Sequence, residues 1–268
     1  MISGQRAAII LVLASLFHFL HVGSAWCQNT TSTLPFYPSS SIVQAATQTP
    51  QALAPNTIGT IYGTNLSYTS DQAGPLLPGS TLPTTIDGVS VLVGGYYCNL
   101  FFVSPTQINF LVPYQLIAGS TTLAVENQGL SGPVVPIQLN NTAPGMFVYN
   151  GFIIATHLNG TLVSSTAPAT AGEIIVIYAA GLGKTTPATV SGKLVTAAAT
   201  ISAASQMQVL LAGQPCPPGD ILYAGLAPGF AGLYQINLTV PPLTPPNPAI
   251  QIVIGSQTSP AGVQLALQ

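Results

Sequence analysis

The chain has 268 residues, of which 3% are charged, and a formal net charge of −2 at pH 7. Three Lys and Arg in all cannot neutralise a run of phosphates, which excludes nucleic-acid binding, and a charged coiled coil or acidic tail falls on the same count. Apolar residues make up 48%, enough for a sizeable core in one large or two small domains, while five carboxylates, three His and three Cys leave little material for a metal cluster or an acid/base enzyme.

Taken in chain order, residues 1–27 read as a secretory leader. Arg6 is its single charge, and the apolar stretch 7–20 is shorter than the roughly 20 residues a membrane span needs. Small residues at Gly23 and Ala25 suit a cut before Trp26, and Ala25 and Cys27 suit a cut before Gln28. The mature chain is thus expected to be secreted, periplasmic or at the cell surface, with no transmembrane segment. Residues 28–40 have the Ser/Thr/Pro-rich, uncharged composition of a linker.

From residue 41 the chain alternates β-rich runs with Gly, Pro and Asn. Strands are expected at 89–93, 100–103, 108–112, 121–125 and 134–139. Further strands are expected at 152–156, 173–178, 207–211, 221–223, 233–240, 250–254 and 263–267. No window carries a helical period. Within a hairpin at 152–163, Asn159-Gly160 predicts a two-residue turn with φ positive at both positions.

An internal repeat sets the architecture. Residues 107–113, Gln-Ile-Asn-Phe-Leu-Val-Pro, match 235–241 at five of seven positions, and Val91 to Cys98 match Val209 to Cys216 at four of eight. Ile61-Tyr62 to Leu66 correspond to Ile177-Tyr178 to Leu182. The order is kept, so the fold predicted is all-β: two tandem immunoglobulin-like β-sandwich domains after a signal peptide, at 41–142 and 143–268, joined near Ala143-Pro144-Gly145.

Spaced motifs then carry a resemblance. They are Leu53-Ala54-Pro55 leading to Ile61-Tyr62-Gly63-Thr64-Asn65-Leu66, Gly88-Val89-Ser90-Val91, Val103-Ser104-Pro105-Thr106-Gln107-Ile108-Asn109-Phe110, Ala180-Gly181-Leu182-Gly183 and Tyr223-Ala224-Gly225-Leu226-Ala227-Pro228-Gly229-Phe230. Residues 41–268 resemble the tandem C-terminal module of secreted acidobacterial proteins called the Solibacter uncharacterised C-terminal domain, and more distantly IPT/TIG immunoglobulin-like modules. The resemblance implies a β-sandwich and export, and brings no activity. Asn56 departs from the Gly usual after Ala-Pro, a change expected to affect one turn.

Few residues are candidates for chemistry. Gly183-Lys184-Thr185 lacks the Gly that a phosphate loop needs five residues earlier, where Tyr178 stands. His157, the one histidine after the leader, has no Gly-x-Ser-x-Gly elbow to serve. Asp71, Asp87, Glu126, Glu173 and Asp220 are scattered and read as separate surface carboxylates. Tyr96 and Tyr97, after Gly94-Gly95, form a candidate binding loop, a platform for a sugar or a protein; strand alternation is the competing reading and turns one of them inward. Export permits a disulfide between Cys98 and Cys216 if the two copies lie side by side; placed end to end, both are small buried residues. Asn109 and Asn237 stand at equivalent points of the repeat and are expected to face away from their apolar neighbours and bond to a nearby turn, holding the corners at Pro113 and Pro241. The reading is a non-enzymatic exported module for interaction with a protein or surface polymer, without cofactor or metal. The alternative is a carbohydrate-binding module using Tyr96 and Tyr97, and a hydrolase ranks last.

Overall fold

A computed structural model describes residues 33–268. The leader, its cleavage sites and the first residues of the linker lie outside the described residues. What is described is all-β, with only three-residue 3₁₀ turns between strands.

The first half holds β1 (Ile42–Gln44), β2 (Ile58–Tyr62), β3 (Asp71–Gln72), β4 (Val89–Val93), β5 (Tyr96–Tyr97), β6 (Asn99–Val103), β7 (Gln107–Leu111), β8 (Gly119–Asn127), β9 (Leu130–Ser131) and β10 (Val135–Leu139). They form two antiparallel sheets, β1-β2-β7-β6-β3 and β10-β8-β4-β5, with β9 on β8. Alternation points Val89, Val91 and Val93 of one sheet and Ile61, Ile108 and Phe110 of the other into one core. Gly59 lies on β2 opposite Phe110, and a Cβ there would come within 2.6 Å of the Phe110 ring, so a residue without one lets the ring close over the strand.

The second half holds β11 (Gly145–Met146), β12 (Val148–Tyr149), β13 (Phe152–Ile153), β14 (Ala155–His157), β15 (Ile174–Ala180), β16 (Thr185–Thr186), β17 (Thr200–Ile201), β18 (Met207–Leu211), β19 (Gln214–Pro215), β20 (Ile221–Leu226), β21 (Tyr234–Thr239), β22 (Ile250–Ile254) and β23 (Gln257–Thr258). One sheet runs β11-β15-β21-β20-β17-β16, with β14 also on β15, and the other runs β19-β18-β22-β23. Ile175, Ile177, Ile236 and Leu238 pack there against Val209, Ile250 and Ile252.

The repeat is visible in the register. Ile61 faces Ile108 across β2 and β7, and Ile177 faces Ile236 across β15 and β21. Val91 faces Val125 across β4 and β8, and Val209 faces Ile252 across β18 and β22. This last equivalence, β8-β9 with β22-β23, left too little identity to be read from sequence.

Two local expectations are corrected. In this part of the chain the turn with both φ positive is at Asn150 (+51°) and Gly151 (+83°), joining β12 to β13. At Asn159-Gly160 only Gly160 is positive, at +85°. Three residues separate His157 from Thr161 there, and the His157 amide donates to the Thr161 carbonyl at 2.9 Å. A loop of that length takes a type I turn with one left-handed Gly, and Asn159 Oδ1 holds the turn by accepting from the Thr161 amide at 2.9 Å. The run 263–267 is no continuous strand. It docks by isolated bridges to Phe152, Ala249 and Ala169, with Leu265, Ala266 and Leu267 buried in the core.

Among the described residues no named strand pairs across the two halves, and one isolated bridge, Thr81 to Lys193, does. The halves are nevertheless packed together. A third apolar cluster joins Ala45, Ile58, Leu82 and Leu111 to Phe147, Ile154, Val176, Tyr178, Leu194 and Leu233. This layer explains why β7 is buried at every position although only Ile108 and Phe110 point into the first core.

Candidate recognition surface

Polar groups reinforce the apolar layer between the halves. Asn56, at φ +65° and 3% exposed, donates from Nδ2 to Tyr234 Oη at 3.2 Å, and Tyr234 Oη donates to the Gly183 carbonyl. Asn56 therefore does more than alter one turn: its side chain ties the first half to the second. Gln44 Nε2 donates to the Ala143 carbonyl at 2.5 Å, and the Ala143 amide donates to the Gly181 carbonyl at 2.7 Å. Gly181, at φ +74°, would place a Cβ 2.0 Å from that Ala143 oxygen, so the approach requires glycine. The segment after β15 lies over the first half. Tyr114 Oη donates to the Thr185 carbonyl at 3.0 Å, its amide donates to Ser191 Oγ at 2.7 Å, and the Leu82 amide donates to the Gly192 carbonyl at 2.9 Å. Lys184 sets its ammonium 5.6 Å from the centre of the Tyr114 ring, a cation–π contact. The Lys in Gly183-Lys184-Thr185 thus belongs to this clasp.

Tyr96 and Tyr97 form β5, the two-residue edge of the β10-β8-β4-β5 sheet. Gly94 (φ +58°) and Gly95 (φ +81°) make the tight turn that brings Tyr96 opposite Val93 and Tyr97 opposite Leu92. Neither ring is turned in: Tyr96 is 47% and Tyr97 56% exposed. Alternation puts them on opposite faces of the edge, and the strand is too short to be covered by the other sheet. Cys98 donates its amide to the Val91 carbonyl at 2.8 Å, so Val93/Tyr96 and Val91/Cys98 are the bonded pairs and the Tyr97 backbone is directed outward. The equivalent hairpin of the second half, β18-β19, carries Gln214-Pro215 there, and proline removes the donor.

Cys98 and Cys216 are both free and buried, each in the core of its own half, where Cys216 donates its amide to the Val209 carbonyl just as Cys98 does to Val91. Burial pushes both thiols up, and Cys216 reaches about 11 with the Asp220 charge adding to the effect.

Asn109 and Asn237 do occupy equivalent registers, opposite Thr60 and Val176. Both bond along their strand, and Asn109 also bonds across to β2. Asn109 Oδ1 accepts from Gln107 Nε2 and from Thr60 Oγ1, both at 3.0 Å, and Asn237 Oδ1 accepts from Gln235 Nε2 at 3.2 Å. A side chain two residues away on a strand shares its face, so Gln-x-Asn is a same-face pair by geometry. Asn109 is fully buried and Asn237 half-buried.

His157 Nδ1 is paired with Glu173 Oε1, and Nε2 lies 3.2 Å from the Ala167 carbonyl. Glu173 Oε2 also accepts from the Thr170 amide at 3.0 Å, so the pair pins the loop between β14 and β15. Among the described residues no three of His, Cys, Asp and Glu come together. No helix of the described residues is long and apolar enough to cross a membrane.

Residues 42–142 match the IPT/TIG domain model. No curated protein sequence matches the chain. Similar solved structures include SGBP-B of the Bacteroides ovatus mixed-linkage glucan utilization locus in complex with a mixed-linkage heptasaccharide, at 13% identity and TM-score 0.33, covering 81% of this chain and 43% of that one. Surface glycan-binding protein PbSGBP-B from Prevotella bryantii aligns at 12% identity and TM-score 0.27, covering 87% and 43%. Domains 5-6 of the S-layer protein SbsC align at 10% identity and TM-score 0.25, covering 87% and 98%. The chain spans less than half the length of the first two. Residues 42–142 thus resemble an immunoglobulin-like IPT/TIG domain, and further antiparallel β-structure follows them in the same chain.

Proposed function

We propose that this chain is a non-catalytic, exported recognition module that engages a protein or surface polymer outside the cytoplasm. The observation that supports it is the open edge at β5, where two exposed tyrosines stand on a scaffold held rigid by the clasp between the halves. Tyrosine supplies a large contact area at low entropic cost, and a rigid scaffold leaves less to order on binding. The leader at 1–27 and the motifs shared with the Solibacter C-terminal module support export. Chemical inventory supports the absence of turnover: beyond residue 27 the chain offers one histidine, two lysines, five separated carboxylates and no arginine. A glycan bound on the same tyrosines is the second reading, favoured by the exposure of both side chains beside Gly94 and Gly95.

The test is binding of purified protein to envelope fractions, before and after protease or periodate treatment. Tyr96→Ser with Tyr97→Ser should weaken binding and leave the melt unchanged. Protease-sensitive binding assigns a protein partner, and periodate-sensitive binding assigns a glycan. Binding by the double variant as strong as that of the unaltered chain refutes the edge as the site. Hydrolysis of an ester, glycoside, peptide or phosphate substrate that His157→Ala abolishes without loss of fold refutes the non-catalytic reading.

A further inference from the structure

We infer that a second site, independent of the tyrosine edge, lies in the cleft between the two halves and takes a neutral saccharide chain. The cleft is about 460 Å³, and three separate segments converge on it. The connector supplies Asn140, Asn141 and Thr142, the turn before β18 supplies Ser202 and Gln206, and the β22-β23 hairpin supplies Ser256 and Gln257. Its polar side chains are all amides and hydroxyls. No charged residue lines it, and Lys184, whose carbonyl accepts from the Ser202 amide, carries its ammonium onto the Tyr114 ring.

This chemistry selects the ligand. A planar amide offers two donors and an acceptor side by side, matching the paired donor and acceptor character of vicinal hydroxyls. A phosphate or uronate would find no cation in the lining, and a peptide would find no apolar anchor pocket there. Ala118 and Ala203 give the wall a small apolar patch for the C–H face of a sugar ring. The wall is also fixed in advance, because Asn140 Nδ2 donates to Gln257 Oε1 at 3.1 Å across the two halves. The Asn141 and Gln206 side chains have no hydrogen-bond partner among the described residues, and both are exposed at the cleft, so both remain available to a ligand. Clefts between domains are where such sites recur.

The experiment is a titration followed by the side-chain amide resonances of Asn141 and Gln206 in the whole protein. The probes are cellotetraose, xylotetraose, laminaritetraose and mannotetraose, with trigalacturonate and a capped Ala-Gly tetrapeptide as controls. At least one neutral tetrasaccharide should move both resonances saturably. Asn141→Ala and Gln206→Ala should each weaken binding about tenfold or more, with melts unchanged because both residues are exposed. Tyr96→Ala with Tyr97→Ala should bind as the unaltered chain does, which separates this site from the tyrosine edge. The inference is overturned if no tetrasaccharide shifts these resonances, if the cleft variants bind normally, if the tyrosine variant loses the binding, or if trigalacturonate or the peptide binds as well as the best sugar.

Discussion

At the scale of single residues, burial decides what equivalent positions are worth. Asn109 and Asn237 share a register and a Gln two residues before, yet Asn109 is fully enclosed and also takes the Thr60 hydroxyl. Asn109→Ala leaves buried donors without their acceptor and should cost about 1–3 kcal/mol, whereas Asn237→Ala should cost about 1 kcal/mol or less. Urea melts of the two variants check the ranking, and equal losses would contradict it. The buried thiols give a pH dependence with a definite sign. Both have folded values raised above the ordinary thiol value, Cys216 to about 11, because burial disfavours the thiolate. Their contribution is fully present below about pH 8.5, the unfolded thiol value, and is lost as pH rises through the folded value. Under reducing conditions stability should therefore be level from about pH 7 to 8 and fall above about 8.5. Replacing both cysteines with Ala should flatten the fall that begins above about pH 8.5, and an unchanged slope there would show that other groups carry it.

At the scale of elements, the two copies of one hairpin reach the same turn by different residues. The β4-β5 turn uses Gly94 and Gly95, while the β18-β19 turn uses Ala212 (φ +50°) and Gly213 (φ +78°). Alanine in the left-handed region is strained where glycine is not. Ala212→Gly should therefore stabilise by about 0.5–1 kcal/mol, raising the midpoint by about 1–4 °C. Gly94→Ala should destabilise, by strain and because its Cβ would come 2.9 Å from Thr121 Oγ1. Calorimetry of both variants tests the opposite signs. These elements also show what the sequence made legible. Strands 89–93, 207–211 and 250–254 could be read with their bounds, because apolar runs there lead into Gly94, Ala212-Gly213 and Gly255. Asn159-Gly160 misled because loop length, and not the dipeptide alone, selects the turn. The run 263–267 misled because an apolar segment can bury its side chains without a continuous strand partner.

At the scale of the whole molecule, the interface between the halves was the least legible part. Composition and repeats give two copies, but which outward faces meet is settled by contacts far apart in sequence, such as Asn56 with Tyr234 and Leu82 with Gly192. The tyrosine edge could be read from Gly94-Gly95-Tyr96-Tyr97. The amide cleft could not, because Asn141, Gln206 and Gln257 come together only once the halves are packed. That packing has a thermodynamic consequence. Leu82 (5% exposed) and Leu194 (8% exposed) sit in the apolar layer, flanked by the amide bonds from Leu82 to Gly192 and from Leu194 to Ser80. Neither half can unfold without exposing this layer on the other, so the chain should melt in a single calorimetric transition although each half has its own core. Leu82→Ala and Leu194→Ala remove apolar volume from the layer and should each cost about 2–5 kcal/mol. Together they weaken the coupling more than either core, so the double variant should show two resolved transitions. Two transitions in the unaltered chain would mean that the layer does not couple the halves, and the rigid scaffold invoked for the tyrosine edge would go with it.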